Sequence, residues 1–269
     1  MERRFVNIEK GLGSAGRIAV VRFDRGDNIN ALSQQAMREL RDVPCDFEDD
    51  LETSVVILTG SAKAFSAGFD LKDTEGRQRD SLSVGERIHR QRLGPKMCKA
   101  WHEMDQVTIA AIEGHCIGGG AALVVSFDFR TCGKSAHFRI PEVELGMNMS
   151  WGSIPRLLAL MGPARTKQAV ILASDRISAA EALAWGLVEN VVEDGEALTA
   201  ALAFAERIAR QPPIPLRMTK RTVNRFAHAL DELGSHMDAD QNVLTGLTED
   251  YKEGTSAFRE KRKPVFKGR

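Results

Sequence analysis

An α/β fold with a parallel sheet is predicted for this chain, on three observations. The runs "SVVILTG" (54–60) and "VTIAAIEG" (107–114) are continuous, β-branched and end at glycine, as buried strands do. A third such run is "DFRTCG" (128–133). Between the last two lies "GGGAALVVSF" (118–127), apolar at helical length. Strand, helix, strand in that order is a βαβ unit, which requires parallel strands with helices packed on them.

The remaining elements follow in order. "FVNIEK" (5–10) and "RIAVVRFDR" (17–25) alternate and read as two paired strands. The "GLGSAG" between them (11–16) fits the glycine spacing of a dinucleotide fingerprint. A strand follows it where that fingerprint needs a helix, so it reads as a hairpin loop. "SQQAMRELRDV" (33–43) is a helix with Ser33 as N-cap. Thr74 to Gln91 reads as a polar surface loop leading into a helix, and the basic residues of "GERIHRQRLGPKMCK" (85–99) as its solvated face. "GKS" (133–135) is not a P-loop, because Asp128 stands where the leading glycine is required. After Trp151 the pattern is helical almost throughout. "SAAEALAWG" (178–186) carries a capping box at Ser178 and Glu181 and closes at Gly186. "GEALTAALAFAERIARQ" (195–211) and a long run from Leu216 to Leu247 come after it.

Composition narrows the functional classes. The 269 residues include 37 basic and 37 acidic ones, so global charge gives no reason to expect nucleic acid or an anionic membrane as partner. No apolar run is long enough to span a bilayer, and "MERRFVNIEK" lacks the apolar core of a signal peptide. The four cysteines, Cys45, Cys98, Cys116 and Cys132, are widely spaced, which suits free thiols in a reducing cytoplasm. The six histidines show no metal-ligand spacing. A cytoplasmic enzyme without a metal is the expectation.

The chemistry centres on Gly118, Gly119 and Gly120, between a strand and a helix. Amides at a helix start have no partner within the helix, and glycine lets a ligand oxygen approach them. "FSAGFD" (65–70) follows another strand in the same way, so two strand ends can aim two N–H groups at one oxyanion. Tight packing of helix on strand is the other reading of the same glycines.

"VVILTGSAKAFSAGFDLK", "TIAAIEGHCIGGGAAL", "FRIPEVELGM", "DRISAAEALAWGLV" and "SAFREKRKPVFKG" occur in the order that resembles the enoyl-CoA hydratase/isomerase (crotonase) family, over nearly the whole chain. The resemblance implies a crotonase-like spiral of ββα units over residues 1–200. It also implies a C-terminal helical trimerisation region over 201–269, a homotrimer or homohexamer, and acyl-CoA thioester substrates of the kind met in fatty acid metabolism. By position, the amides of Phe69 and Gly119 would form the oxyanion hole. Ala64, Ser66, Ala67, Gly68, Asp70, Leu71 and Lys72, with Gly118, would line coenzyme A, Lys72 near a phosphate. Lys267 matches a position that meets coenzyme A, in some members across a subunit boundary. Coenzyme A is then part of the substrate, and no separate cofactor is implied.

Family hydratases usually carry two glutamates. Glu142, in "IPEVELG", matches one; Ala122 stands at the other, and Ser150 at a further acidic position found in some isomerases. A single glutamate can take a proton from one carbon and return it to another, which is double-bond isomerisation. That reaction is slightly preferred. Enoyl-CoA hydratase or hydratase-lyase activity on a fatty or aromatic acyl group stays open, as does, outside catalysis, a dead CoA-binding protein. Glu144 reads as structural, and Trp151 as either an acyl-pocket wall or core.

Overall fold

The computed structural model describes residues 3–73, 82–173 and 175–269. Two strands, β1 (Val6–Leu12) and β2 (Ile18–Phe23), form the antiparallel hairpin expected around "GLGSAG". Helix α1 (Gln34–Asp42) follows, with the Ser33 hydroxyl accepting from the Ala36 amide. Then come two strand pairs, β3 (Val55–Thr59) with β4 (Ala64–Ser66) and β5 (Val107–Ile112) with β6 (His115–Ile117). Between these pairs stand α2 (Val84–Gln91) and α3 (Leu93–His102). Helix α4 (Gly119–Val124) leads to a third pair, β7 (Phe129–Gly133) and β8 (His137–Arg139).

In each pair the first strand joins one sheet and the second joins another. The larger sheet runs β1-β2-β3-β5-β7 and ends on β10 (Asn190–Val192). The smaller runs β4-β6-β8 and ends on β9 (Ile177–Ser178). From β2 to β10 all neighbours in the larger sheet are parallel, as are β4, β6 and β8 in the smaller. Successive ββα units therefore stack with every second strand ending on the same side, which brings the turns after β4 and β6 together.

The strands alternate between two buried faces, so they read as unbroken apolar runs. Ala19, Val21, Val56, Leu58, Ala110 and Ile112 face the main core. Ile18, Val20, Val55, Ile57, Val107 and Ile109 face a second core closed by α7 (Ala197–Ala209). Ala197, Ala201, Ala205 and Ala209, four residues apart, form the stripe that lets α7 lie close on the sheet. The expected domain boundary at residue 200 thus falls inside a helix that belongs to the core.

Beyond Trp151 the chain runs through α5 (Ser153–Ile171), broken at Gly162 by φ 71°, and α6 (Ala179–Trp185), which has the predicted capping box and a Gly186 cap. The two short strands β9 and β10 also lie in this region read as helical. The single run expected from Leu216 to Leu247 is three helices, α8 (Pro213–Ala227), α9 (Asp231–Ser235) and α10 (Asp238–Thr245). The turn after α8 brings Asp231 Oδ2 within 2.9 Å of His228 Nδ1. Helix α11 (Glu249–Glu260), capped by Thr248, completes the fold. No helix among the described residues is long and apolar enough to cross a membrane.

Candidate active site

The turn after β4 is built by Ser66 and Gly68. The Ser66 hydroxyl donates to Asn30 O (2.8 Å) and accepts from the Gly68 amide (3.1 Å), and Gly68 takes φ +84°. Leu32 N donates to Gly68 O at 2.7 Å, and Asp70 N donates to Leu32 O at 3.1 Å. In a parallel bridge of this kind the central residue, Phe69, turns its own N–H away from Leu32. A side chain on Gly68 would stand 2.6 Å from Ile117 O and 3.3 Å from Gly119 N, so the two turns touch.

Each glycine of the triplet has its own cause. Gly118 holds φ 51°, ψ −114°, which a residue with a Cβ avoids, and a Cβ there would lie 2.8 Å from Glu142 Oε1. A Cβ on Gly119 would lie 2.6 Å from Trp151 Cζ3 and 3.2 Å from Leu32 Cδ1. One on Gly120 would meet the Ser66 Cβ at 2.9 Å. The Gly119 amide opens α4, where the helix itself offers no acceptor. Tight packing, one of the two readings of these glycines, is what these contacts show.

Glu142 sits at the end of β8, ahead of a 3₁₀ turn, Val143–Leu145. The residue is half-buried, yet its Oε2 is fully enclosed and has no hydrogen-bond partner. Burial pushes the carboxyl up from 4.5 to about 7, with its own backbone amide and Arg139 opposing weakly. Arg139 spends its charge on Glu144, with which it pairs, and that pair gives Glu144 the structural part expected of it. Helix α11 lies over this loop: Cβ atoms on Gly146 and Gly254 would stand 2.7 Å from Tyr251 Cα and Leu145 C. Ala122 is buried on α4, so position 122 contributes no polar group.

Trp151 takes φ +64°, a left-handed conformation costing about 1–2 kcal/mol in a residue with a Cβ. The turn is held from outside by Asp238 Oδ2, which accepts from Gly152 N at 2.8 Å. The indole packs against Gly119 on one side and against Gly94 on the other, where a Cβ would lie 2.1 Å from Cε2.

A cleft of about 760 Å³ opens beside this cluster. Phe69, Asp70, Leu71 and Trp151 line it, as the sequence led one to expect. The rest of the predicted set is elsewhere. Ala64 and Ser66 are fully buried in β4 and support the turn. Ala67 donates its amide to Ile29 O. Gly118, Gly119 and Glu142 are not on the cleft wall itself; Trp151, which is, packs on Gly119. Asp70 is ion-paired with Arg25 at 2.8 Å. Lys72 and Lys267 are exposed and off the cleft wall, and the Lys267 amide donates to Asp250. Of the polar loop read from Thr74 to Gln91, residues 74–81 lie outside the described residues.

Sequence reasoning missed two walls. Arg87 and Arg90, read as a solvated helix face, line the cleft from α2; Lys252, Thr255 and Arg259 line it from α11. The sequence signal was present in the basic cluster of "GERIHRQRL", but only the fold turns that face inward. Among the described residues no group of three or more His, Cys, Asp or Glu side chains is placed to hold a metal.

Comparison with known proteins gives the same reading of this architecture. Residues 13–269 match the model of the family described as "Enoyl-CoA hydratase/isomerase". The chain is 34% identical to a crotonyl-CoA hydratase of Syntrophomonas wolfei, covering 93% of this chain and 94% of that one. It is 33% identical to a short-chain-enoyl-CoA hydratase of Clostridium acetobutylicum, over 98% and 97% of the two chains. Among solved structures, a carnitinyl-CoA hydratase from Mycobacterium avium superposes with TM-score 0.82 at 29% identity, over the full length of both chains. An enoyl-CoA hydratase from Mycobacterium avium subsp. paratuberculosis shares the fold at TM-score 0.85 and 21% identity, over 99% of this chain and all of that one. The ββα architecture, the family match over residues 13–269 and relatives 33–34% identical over nearly the whole chain lead to one conclusion, that this chain belongs to the enoyl-CoA hydratase/isomerase family of acyl-CoA enzymes.

Proposed function

We infer that the chain binds an acyl-CoA thioester with its carbonyl oxygen at the Phe69 and Gly119 amides, and that Glu142 alone moves the proton. The observation that carries this reading is the Glu142 carboxyl, enclosed, unpartnered at Oε2 and raised to about 7, beside the glycine turn. A proton taken beside the thioester leaves an enolate, whose oxygen two fixed donors stabilise. A carboxyl that titrates near neutrality suits both removal and return of the proton. Arg87, Arg90, Lys252 and Arg259 give the cleft a cationic wall suited to the phosphates of coenzyme A. No metal or nucleotide cofactor enters this reading, and binding of acetyl-CoA is expected to be indifferent to EDTA.

With alanine at 122 no second carboxylate helps to hold a water, so shifting a 3-enoyl double bond to the 2-position is slightly preferred over hydration. The names of the relatives favour the second reading, hydration of a short enoyl-CoA. Measuring both rates on the unmodified protein decides between them. Faster isomerisation is expected; fast hydration of crotonyl-CoA with no isomerisation would sink the preference.

A homotrimer or homohexamer belongs to the same proposal. Helix α8 contains no buried residue, and Phe226 and Leu233 are 84% and 72% exposed. Apolar surface of this extent asks for cover by further copies. Light scattering at micromolar concentration is expected to give a mass three or six times that of the chain, and a monomer would count against it.

A further inference from the structure

We propose that the Trp151 indole is the end wall of the acyl site and limits the substrate to short acyl chains. The inference rests on the placement of the thioester at Phe69, Gly119 and Glu142, and adds to it a substrate class. Trp151 belongs both to the cleft wall and to the layer directly over Gly119. Its ring atoms Cζ3 and Cη2 lie 2.6 and 2.7 Å from the point where a Gly119 Cβ would be, and Leu32 Cδ1 closes on the same point at 3.2 Å. The next residue back, Gly118, has Glu142 Oε1 in the equivalent position at 2.8 Å. Carboxyl and indole therefore face adjacent residues of one turn. An acyl group whose carbonyl oxygen meets the Gly119 amide and whose reacting carbon faces Glu142 has the indole beside it, in the space its further carbons would need.

The ring is also fixed there. Its other side rests on Gly94, where any Cβ would lie 2.1 Å from the ring, so α3 gives way to the indole with a glycine. Its backbone is held at φ +64°, in the left-handed region that a residue with a Cβ rarely adopts. Backbone strain kept at a site by surrounding contacts, here Asp238 on Gly152 N, is a mark of a position set for function. A wall so held on both faces does not swing aside for a longer chain, and steric exclusion by a rigid wall discriminates between chains that differ by a few methylenes.

The test compares four- and eight-carbon ligands on the unmodified chain, on Trp151→Gly, which accepts φ +64° without strain, and on Trp151→Phe. Binding is read by calorimetry with butyryl- and octanoyl-CoA, and turnover with the corresponding 2- and 3-enoyl-CoAs. The unmodified chain is expected to favour the four-carbon ligand by about tenfold or more. Trp151→Gly is expected to shift the eight-to-four-carbon ratio by about tenfold or more toward the longer ligand, with Trp151→Phe between. Equal binding of both lengths by the unmodified chain, or a ratio that the variants leave unmoved, would overturn the proposal. A length preference in binding without turnover of either substrate keeps the wall and sinks the proton-shuttle reading. Equal turnover of both lengths sinks the wall and leaves the shuttle standing.

Discussion

Two glycine-rich turns follow strands in this molecule, and they are glycine-rich for different reasons. In the hairpin turn of residues 11–16, Gly11 and Gly16 take φ +76° and +68°; a Cβ on Gly11 would meet nothing within 4 Å, and one on Gly16 only a carbonyl at 3.8 Å. At those two positions glycine serves the backbone angle alone, while Gly13, at φ +81°, also makes room for Glu206, whose Oε1 would lie 2.7 Å from a Cβ there. In the turn of residues 118–120 every glycine has a neighbour within 3 Å of its missing Cβ, respectively Glu142, Trp151 and Ser66. Here every glycine makes room, and the groups it makes room for are the proposed acid–base residue Glu142, the cleft-wall residue Trp151 and Ser66, which supports the other turn. Which groups crowd the missing Cβ atoms, rather than glycine content, separates the two turns.

The comparison breaks most severely at the group that crowds Gly118. Glu142→Gln keeps the shape but cannot take up and return a proton, so turnover is expected to fall by about 10²–10⁴-fold while calorimetry shows acyl-CoA affinity nearly unchanged. The same variant tests the raised carboxyl. Its folded value of about 7 exceeds the ordinary value of 4.5, so the folded state holds this proton more tightly than the unfolded one. The stability it contributes is full below about pH 4.5 and is lost as pH rises through about 7, a decline of roughly 3 kcal/mol. Urea melts of the two proteins across that window are expected to diverge, the glutamine variant lacking this slope. Activity of the unmodified protein is expected to rise over the same range as the carboxylate forms; parallel melts and a flat rate profile would place Glu142 in ordinary solvent.

A smaller and sharper contrast comes from the glycines themselves. Gly119→Val is expected to lose about 10²–10³-fold in rate, the scale of one oxyanion-hole donor. Folding is expected to weaken as well, because the indole and Leu32 must move, at about 1–3 kcal/mol. Gly11→Ala in the open turn is expected to cost only about 1 kcal/mol, from its positive φ, and to leave turnover as it was. Equal effects of the two substitutions on rate would erase the distinction between the turns.

The sequence was legible where structure is local. Strands β2, β3, β5 and β7 are runs whose side chains are buried on both faces, and such runs show directly as apolar stretches. The Ser178 and Ser33 caps and the glycine after α6 are settled within four residues of chain. The motifs put Phe69, Gly119 and Glu142 in turns that follow strands, and in the fold those turns touch one another.

What the sequence could not determine depends on contacts between residues far apart. The smaller sheet is made of strands of two or three residues, too short for any period to appear. Edge strand β10 lies inside a stretch of helical composition, and only its pairing with β7 makes it a strand. Arg87 and Arg90 look like solvent-facing charges until α11 closes the far side of the cleft. Trp151 read equally as core or pocket wall, since its surroundings are set by Gly94 and Gly119, 57 and 32 positions away. Sequence spacing fixes backbone propensities and the faces of single elements. Which side chains share a site is decided by the stacking of the ββα units, where burial and steric exclusion act between segments that the sequence leaves far apart.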